Sequence, residues 1–282
     1  MAHRRRRRPF SIAVVIAILA VLYFWNSGNN KPAKEPAPPA PPTATAQAPA
    51  APVTSKPDTD TPEPTLDQPK QAKVWPYLTT EYQVAMADDL LARNIVLIFD
   101  GSGSMAKEGC SGNRPKIDVA KNAVVEWSGT VPANANLGLV CFHGKSRDLL
   151  IQEMESGNRD RFIGTVKSIV AGGKTPLTLA FKEAFVMLEK QAQKQLGYGE
   201  YTIVVVTDGI ANSPEDLTRA VNWILKYTPI DIYTIGFCIG DDHSLNQRGR
   251  TFYKAANNPE QLKQGLKDVL AESEDFDITE FK

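Results

Sequence analysis

Four short runs of the chain are predominantly apolar, and the stretches between them carry apolar residues at helical spacing. The runs are Ile95 to Phe99, Leu137 to Phe142, Tyr201 to Val206 and Ile230 to Phe237. A strand that faces water on one side alternates apolar and polar residues. These runs do not alternate, so they read as strands of a parallel sheet covered on both faces. A shorter segment, Leu149 to Ile151, follows the second run too closely for a crossover and is expected to pair with it antiparallel.

The intervening stretches predict helices. Ile117, Ala120, Val124 and Trp127 share one helical face, as do Phe162, Val166, Ile169 and Val170. Further stripes are Leu177, Phe181, Ala184, Phe185 and Leu188, and Leu217, Ala220, Val221, Ile224 and Leu225. The last helix is expected to bury Leu262, Leu266, Val269 and Leu270. Two helix starts are explicit, at Ser213-Pro214-Glu215-Asp216 and Asn258-Pro259-Glu260-Gln261. Each has a capping residue, proline at the first helical position and an acid or amide at the third. Alternation of this kind predicts a doubly wound α/β fold: a mostly parallel central sheet, helices on both faces and one short antiparallel edge strand. The domain is expected to occupy 73–282, with its core at about 90–272.

The first seventy residues have a different pattern. Residues 1–9 contain five consecutive arginines, Arg4 to Arg8, and 10–25 is an apolar run broken only by Ser11. A basic block beside an apolar helix reads as the cytoplasmic flank of a membrane anchor. At 1.5 Å per residue the run spans roughly 24 Å, short of a ~30 Å hydrocarbon core. Snorkelling arginines and the interfacial Tyr23, Phe24 and Trp25 make up the difference. A cleaved signal peptide is the alternative. Tyr23-Phe24-Trp25-Asn26 stands where small residues are needed for cleavage, which favours an uncleaved single-pass anchor in the cytoplasmic membrane. On either reading the remainder of the chain lies outside the cytoplasm. Residues 26–72 hold 12 of the 20 prolines and no aromatic residue. Such a segment buries too little apolar surface to offset its ordering entropy and reads as an extended linker.

Overall charge adds little until it is divided. Lys and Arg number 32, as do Asp and Glu, yet from Lys73 onward there are 23 of the former against 27 of the latter, a net −4. A mildly acidic body with no basic patch argues against nucleic acid as a partner.

In a doubly wound sheet, ligands bind beyond the carboxyl ends of the strands. There the chain places Asp100-Gly101-Ser102-Gly103-Ser104, the loop Gly172-Gly173-Lys174-Thr175-Pro176, and Thr207-Asp208-Gly209. Two carboxylates at one sheet edge repel each other unless a positive charge intervenes. All donors in these segments are hard oxygens, which suits Mg²⁺, Mn²⁺ or Ca²⁺ and not zinc.

Asp100-x-Ser102-x-Ser104, taken with Thr175 and Thr207-Asp208-Gly209, resembles the metal-ion-dependent adhesion site of von Willebrand factor type A domains. The resemblance spans about residues 90–272, in order and on the matching elements. It implies that the hydroxyls of Ser102, Ser104 and Thr175 touch the metal, that Asp100 and Asp208 act directly or through water, and that an acidic side chain of a protein partner completes the coordination. Taken with the expected anchor at 10–25, it implies a membrane-tethered binding module and not an enzyme. The alternative within the same family is a regulatory or assembly subunit of an ATPase or transport complex.

Other candidates stand apart from these motifs. His143 and His243 fall after strands and read as solvated loop residues; a second metal site or hydrolytic triad around Asp241-Asp242-His243-Ser244 is the sharper alternative. Cys141 sits within an apolar run and reads as core. Cys110 and Cys238 both belong to the carboxyl-end rim, and outside the cytoplasm they are either a disulfide or two isolated thiols.

Overall fold

A computed structural model describes residues 75–77, 85–144 and 148–271. All lie within the compact unit Leu66–Lys282. The expected anchor at 10–25 and linker at 26–72 lie outside the described residues. Among the described residues no helix is long and apolar enough to cross a membrane.

The strands are β1 (Arg93–Gly101), β2 (Asn136–His143), β3 (Leu150–Glu155), β4 (Glu200–Thr207), β5 (Asp231–Phe237) and β6 (Phe252–Ala256). They form one sheet in the order β3-β2-β1-β4-β5-β6. Every pairing is parallel except β2 with β3, which is antiparallel. The helices are α1 (Lys116–Ser128), α2 (Arg159–Ser168), α3 (Leu177–Lys194), α4 (Pro214–Tyr227) and α5 (Pro259–Ala271), with a short 3-10 turn at Gly103–Ala106.

β1 shows why the runs had to be apolar throughout. Ile95, Leu97 and Phe99 face one layer, where they pack with Ile117, Val124 and Trp127 of α1, Phe162 of α2 and Leu266 of α5. Val96 and Ile98 face the other, against Phe181 and Leu188 of α3 and Leu217 and Ile224 of α4. Both faces are dry, so neither can hold a polar side chain without a partner. The doubly wound, mostly parallel architecture expected from the sequence is the one observed.

Three details differ from expectation. β6 has no apolar run to announce it: it is an edge strand, paired on one side to β5, and only Ala256 of its residues is fully buried. α2 ends at Ser168, and the backbone turns extended at Ile169. Ile169 therefore enters the core from the loop while Val170 points outward, 65% exposed. The two helix starts also behave differently. At α5, Asn258 Oδ1 accepts from Gln261 N at 2.8 Å, and the Gln261 amide accepts from Asn257 N at 2.7 Å. At α4, Ser213 makes no such cap; its hydroxyl donates to the Asp216 carboxylate at 2.6 Å.

Candidate metal centre

The chain leaves β1 toward β2 and β3, then returns to place β4 on the opposite side of β1. The carboxyl ends of β1 and β4 are thus neighbours at the point where the winding reverses, and the loops diverging from them leave a crevice. Asp100 is near the end of β1, and Asp208 follows β4 directly.

Asp100 is fully buried and held on both oxygens. Its Oδ1 accepts from Ser102 N at 2.8 Å, and its Oδ2 accepts from the Thr207 hydroxyl at 2.5 Å. Ser104 Oγ donates to Asp208 Oδ1 at 2.7 Å and lies 3.0 Å from Ser102 Oγ. Thr175 comes from the loop before α3, and two backbone bonds lock that loop to the serine loop. Gly103 N donates to Gly173 O at 3.2 Å, and Gly172 N to Gly101 O at 2.8 Å. Glycine is required at 173: φ is +78°, and a Cβ there would lie 2.4 Å from Gly144 O. Asn212 ties in the remaining segment, its side chain accepting from Thr175 N at 3.2 Å and its own N–H donating to Thr175 O at 3.1 Å.

The donors converge. A methyl group on Gly209 would stand 3.7 Å from Ser104 Oγ, 3.7 Å from Thr175 Oγ1 and 3.9 Å from Asp100 Oδ2, so oxygens of the Asp100–Ser104 loop and of the Thr175 loop meet over the third segment, Thr207-Asp208-Gly209. Among the described residues no three His, Cys, Asp or Glu side chains gather to hold a metal. The donor set here is two carboxylates and three hydroxyls. Its chemistry fits a hard divalent cation that keeps some water, as Mg²⁺ does. Burial raises the Asp100 carboxyl above the usual carboxylate range; the bonds from Thr207 and Ser102 oppose the rise, and the nearby Asp208 adds to it. An added cation would favour the ionised form.

Four residues outside the expected ligand set shape the centre. Thr207 fixes Asp100, and its hydroxyl also accepts from Gly209 N at 3.2 Å. Asn212 fixes Thr175. Lys116, at the first turn of α1, lays its ammonium against Asp208 Oδ2 as an ion pair without the alignment of an ordinary hydrogen bond. His243 is the fourth, and it corrects the solvated-loop expectation. It is 7% exposed, accepts from Leu245 N on Nδ1 at 3.1 Å, and so carries its proton on Nε2, which donates to Gly209 O at 3.0 Å. With both ring nitrogens engaged by backbone, His243 is neither a ligand nor a base; it is a strut beneath the Asp208-Gly209 turn. His143, the last residue of β2, is half-buried. Cys141 is fully buried, and burial pushes its thiol well up. A disulfide joins Cys110 to Cys238, with Cα atoms 5.5 Å apart.

The family model of the von Willebrand factor type A domain matches residues 94–268, more than half of the chain. The chain belongs to the von Willebrand factor type A domain family. Among curated proteins it is similar to the uncharacterized protein YwmD of Bacillus subtilis (strain 168), at 22% identity over 189 residues, covering 61% of this chain and 82% of the relative. Solved structures with the same fold include a von Willebrand factor type A protein from Catenulispora acidiphila, with TM-score 0.53 and 18% identity, covering 65% of this chain and 43% of that one. The PilB minor pilin from Streptococcus sanguinis gives TM-score 0.52 and 17% identity over 66% of this chain and 62% of its own. The pilus adhesin SpaC from Lactobacillus rhamnosus GG gives TM-score 0.52 and 13% identity over 67% and 31%. The type A domain spans less than two thirds of each of these structures, and at such identities the likeness is one of fold.

Proposed function

We propose that this type A domain is a non-enzymatic binding module that grips an acidic group on a protein partner through a divalent cation, Mg²⁺ or its analogues Mn²⁺ and Ca²⁺. Asp100, Ser102, Ser104, Thr175 and Asp208 hold the cation in the manner of a metal-ion-dependent adhesion site. The observation that carries this reading is the convergence of oxygens from the Asp100–Ser104 loop, the Thr175 loop and Asp208 at the topological switch point. A cation held largely by hydroxyls keeps positive character and draws in a further carboxylate. The surroundings suit a protein partner. Ile210, two residues beyond Asp208, is 61% exposed, and Leu179 is 46% exposed beside a shallow groove lined by Thr175, Pro176, Lys182 and Asn212. The pilin and adhesin among the structural neighbours are consistent with such a role.

The module is tethered to the cytoplasmic membrane by residues 10–25 and works outside the cytoplasm on the linker 26–72. The Arg4 to Arg8 block supports this orientation, and so does the disulfide, which requires an oxidising compartment. Two experiments test these statements. The full chain, immobilised in Mg²⁺, should retain a partner that chelator releases and that the Asp208→Ala chain does not retain; retention indifferent to chelator contradicts the metal-borne contact. A reporter active only outside the cytoplasm, fused after Lys282, should be active in the membrane fraction; an inactive reporter contradicts the location.

A further inference from the structure

We infer that Lys116 sets the charge of the metal centre: a fixed internal cation that lowers affinity for the metal and, in return, leaves the loaded centre net positive, so that it holds a carboxylate. The inference rests on the metal-binding reading proposed above.

Lysine heads seldom leave water, because the buried ammonium loses its hydration. At Lys116 only 11% of the side chain is exposed, and its partner Asp208 is wholly buried. The position is built. Lys116 N donates to Lys107 O at 3.0 Å, closing the loop that leads into α1. The stem runs past Gly109, where a Cβ would lie 3.8 Å from the Lys116 Cδ and 3.7 Å from the Cys238 sulfur. The same loop is stapled to the end of β5 through Cys110 and Cys238. The ammonium is thus delivered to Asp208 by a cross-linked loop.

The charge count decides what it does there. Asp100 and Asp208 contribute two negative charges, and Lys116 cancels one. A divalent cation then leaves the centre with one net positive charge. Without Lys116 the loaded centre would be neutral. A neighbouring positive charge disfavours the metal and favours an incoming carboxylate. Removing it should therefore move the two affinities in opposite directions. A residue with a merely structural role has no such signature, since losing it would weaken both.

The test compares the full chain with Lys116→Gln, which keeps polarity and most of the length, with Lys116→Met as a second uncharged form, and with Lys116→Arg, which keeps the charge. Mn²⁺ alone is the metal probe and acetate the carboxylate probe. Water-proton relaxation reads both, because acetate displaces water from the bound ion. Lys116→Gln and Lys116→Met should bind Mn²⁺ about tenfold more tightly and acetate about tenfold more weakly, the scale of one unit charge acting through a partly screened medium. Lys116→Arg should stay near wild type. Without metal, the uncharged variants should melt at lower temperature, because Asp100 and Asp208 then face each other uncompensated, and Mn²⁺ should raise their Tm by more than it raises that of the wild type. Parallel weakening of both affinities, or no change in either, overturns the inference. Failure of the wild-type chain to take up Mn²⁺ would instead overturn the metal centre itself.

Discussion

The two ends of the sheet bury polar groups in opposite ways. At the amino end the most deeply buried groups are neutral amides, which bind one another and the backbone. Asn94 Nδ2 donates to Ala92 O at 2.9 Å and Glu200 O at 3.0 Å, and Asn94 Oδ1 accepts from Asn136 at 2.9 Å. Gln195 Nε2 donates to Leu90 O at 2.9 Å and Ala92 O at 3.0 Å. Trp75 packs edge-on against Tyr201, at the start of β4, and Tyr77 N donates to Glu189 on the last turns of α3 at 2.6 Å. At the carboxyl end, Asp100 and Asp208 bring two like charges into the interior, with the Lys116 ammonium paired to Asp208. A neutral amide set fixes register and brings no net charge that would draw in an ion. A carboxylate pair with incomplete compensation costs stability unless a cation joins it. Burial alone does not distinguish a structural polar cluster from a binding site; the leftover charge does.

The comparison can be broken most forcefully at the rim's cross-link. Cys110 and Cys238 close a loop with a sequence separation of 128. Replacing both by serine should lower unfolding free energy by about 4 kcal/mol in urea titrations under oxidising conditions. No loss would mean that the loop before α1 is already fixed without the bond. At the amino end, Asn94→Ala should cost about 2–3 kcal/mol by stranding the Asn136 amide and two backbone carbonyls, while leaving Mg²⁺ affinity unchanged. A fall in Mg²⁺ affinity there would erase the distinction between the ends. Thr175→Ala should do the reverse. Water replaces one neutral ligand, so calorimetry should show Mg²⁺ binding weakened about fivefold, with stability changed by less than about 1 kcal/mol.

The smallest effect concerns pH. Asp100 has its folded-state pKa raised, chiefly by burial, with hydrogen bonds from Thr207 and Ser102 pulling the other way. The folded state therefore holds its proton more tightly than the unfolded chain. Stability in chelator should be fully present below the ordinary carboxylate value of about 3.9 and should decline as pH rises through Asp100's higher value. Mg²⁺ should remove the decline, and denaturant titrations at several pH values in Mg²⁺ and in chelator would check it. Stability that rises through that window in chelator contradicts the sign.

How much of this was legible in the sequence depended on whether a residue's neighbours in space were also neighbours in the chain. The runs through β1, β2, β4 and β5 and the stripes of α1, α3, α4 and α5 are local patterns imposed by dry faces, and they read directly. β6 did not, since an edge strand faces water and keeps polar residues. Val170 was misplaced because helical periodicity does not show that the backbone turns extended at Ile169. At the rim, Asp100, Ser102 and Ser104 are spaced within one loop, and Thr175 and Asp208 stand on recognisable glycine-bearing segments. Nothing in the local sequence sets Lys116 apart, and His243 reads as a loop histidine among acids. Their roles come from Asp208 and Gly209, which are 92 and 34 positions away in sequence and adjacent only after β1, β4 and β5 are laid side by side.

The central claim is that Asp100 and its neighbours form a divalent-cation site. Its most direct test is calorimetry with Mg²⁺ on the full chain against Asp100→Asn, which removes the charge and keeps a carbonyl oxygen for the Ser102 N–H. The wild-type chain should bind a single Mg²⁺ near neutral pH, and the variant should show no saturable heat while retaining its fold by circular dichroism. Equal heats and equal affinities in the two would contradict the account.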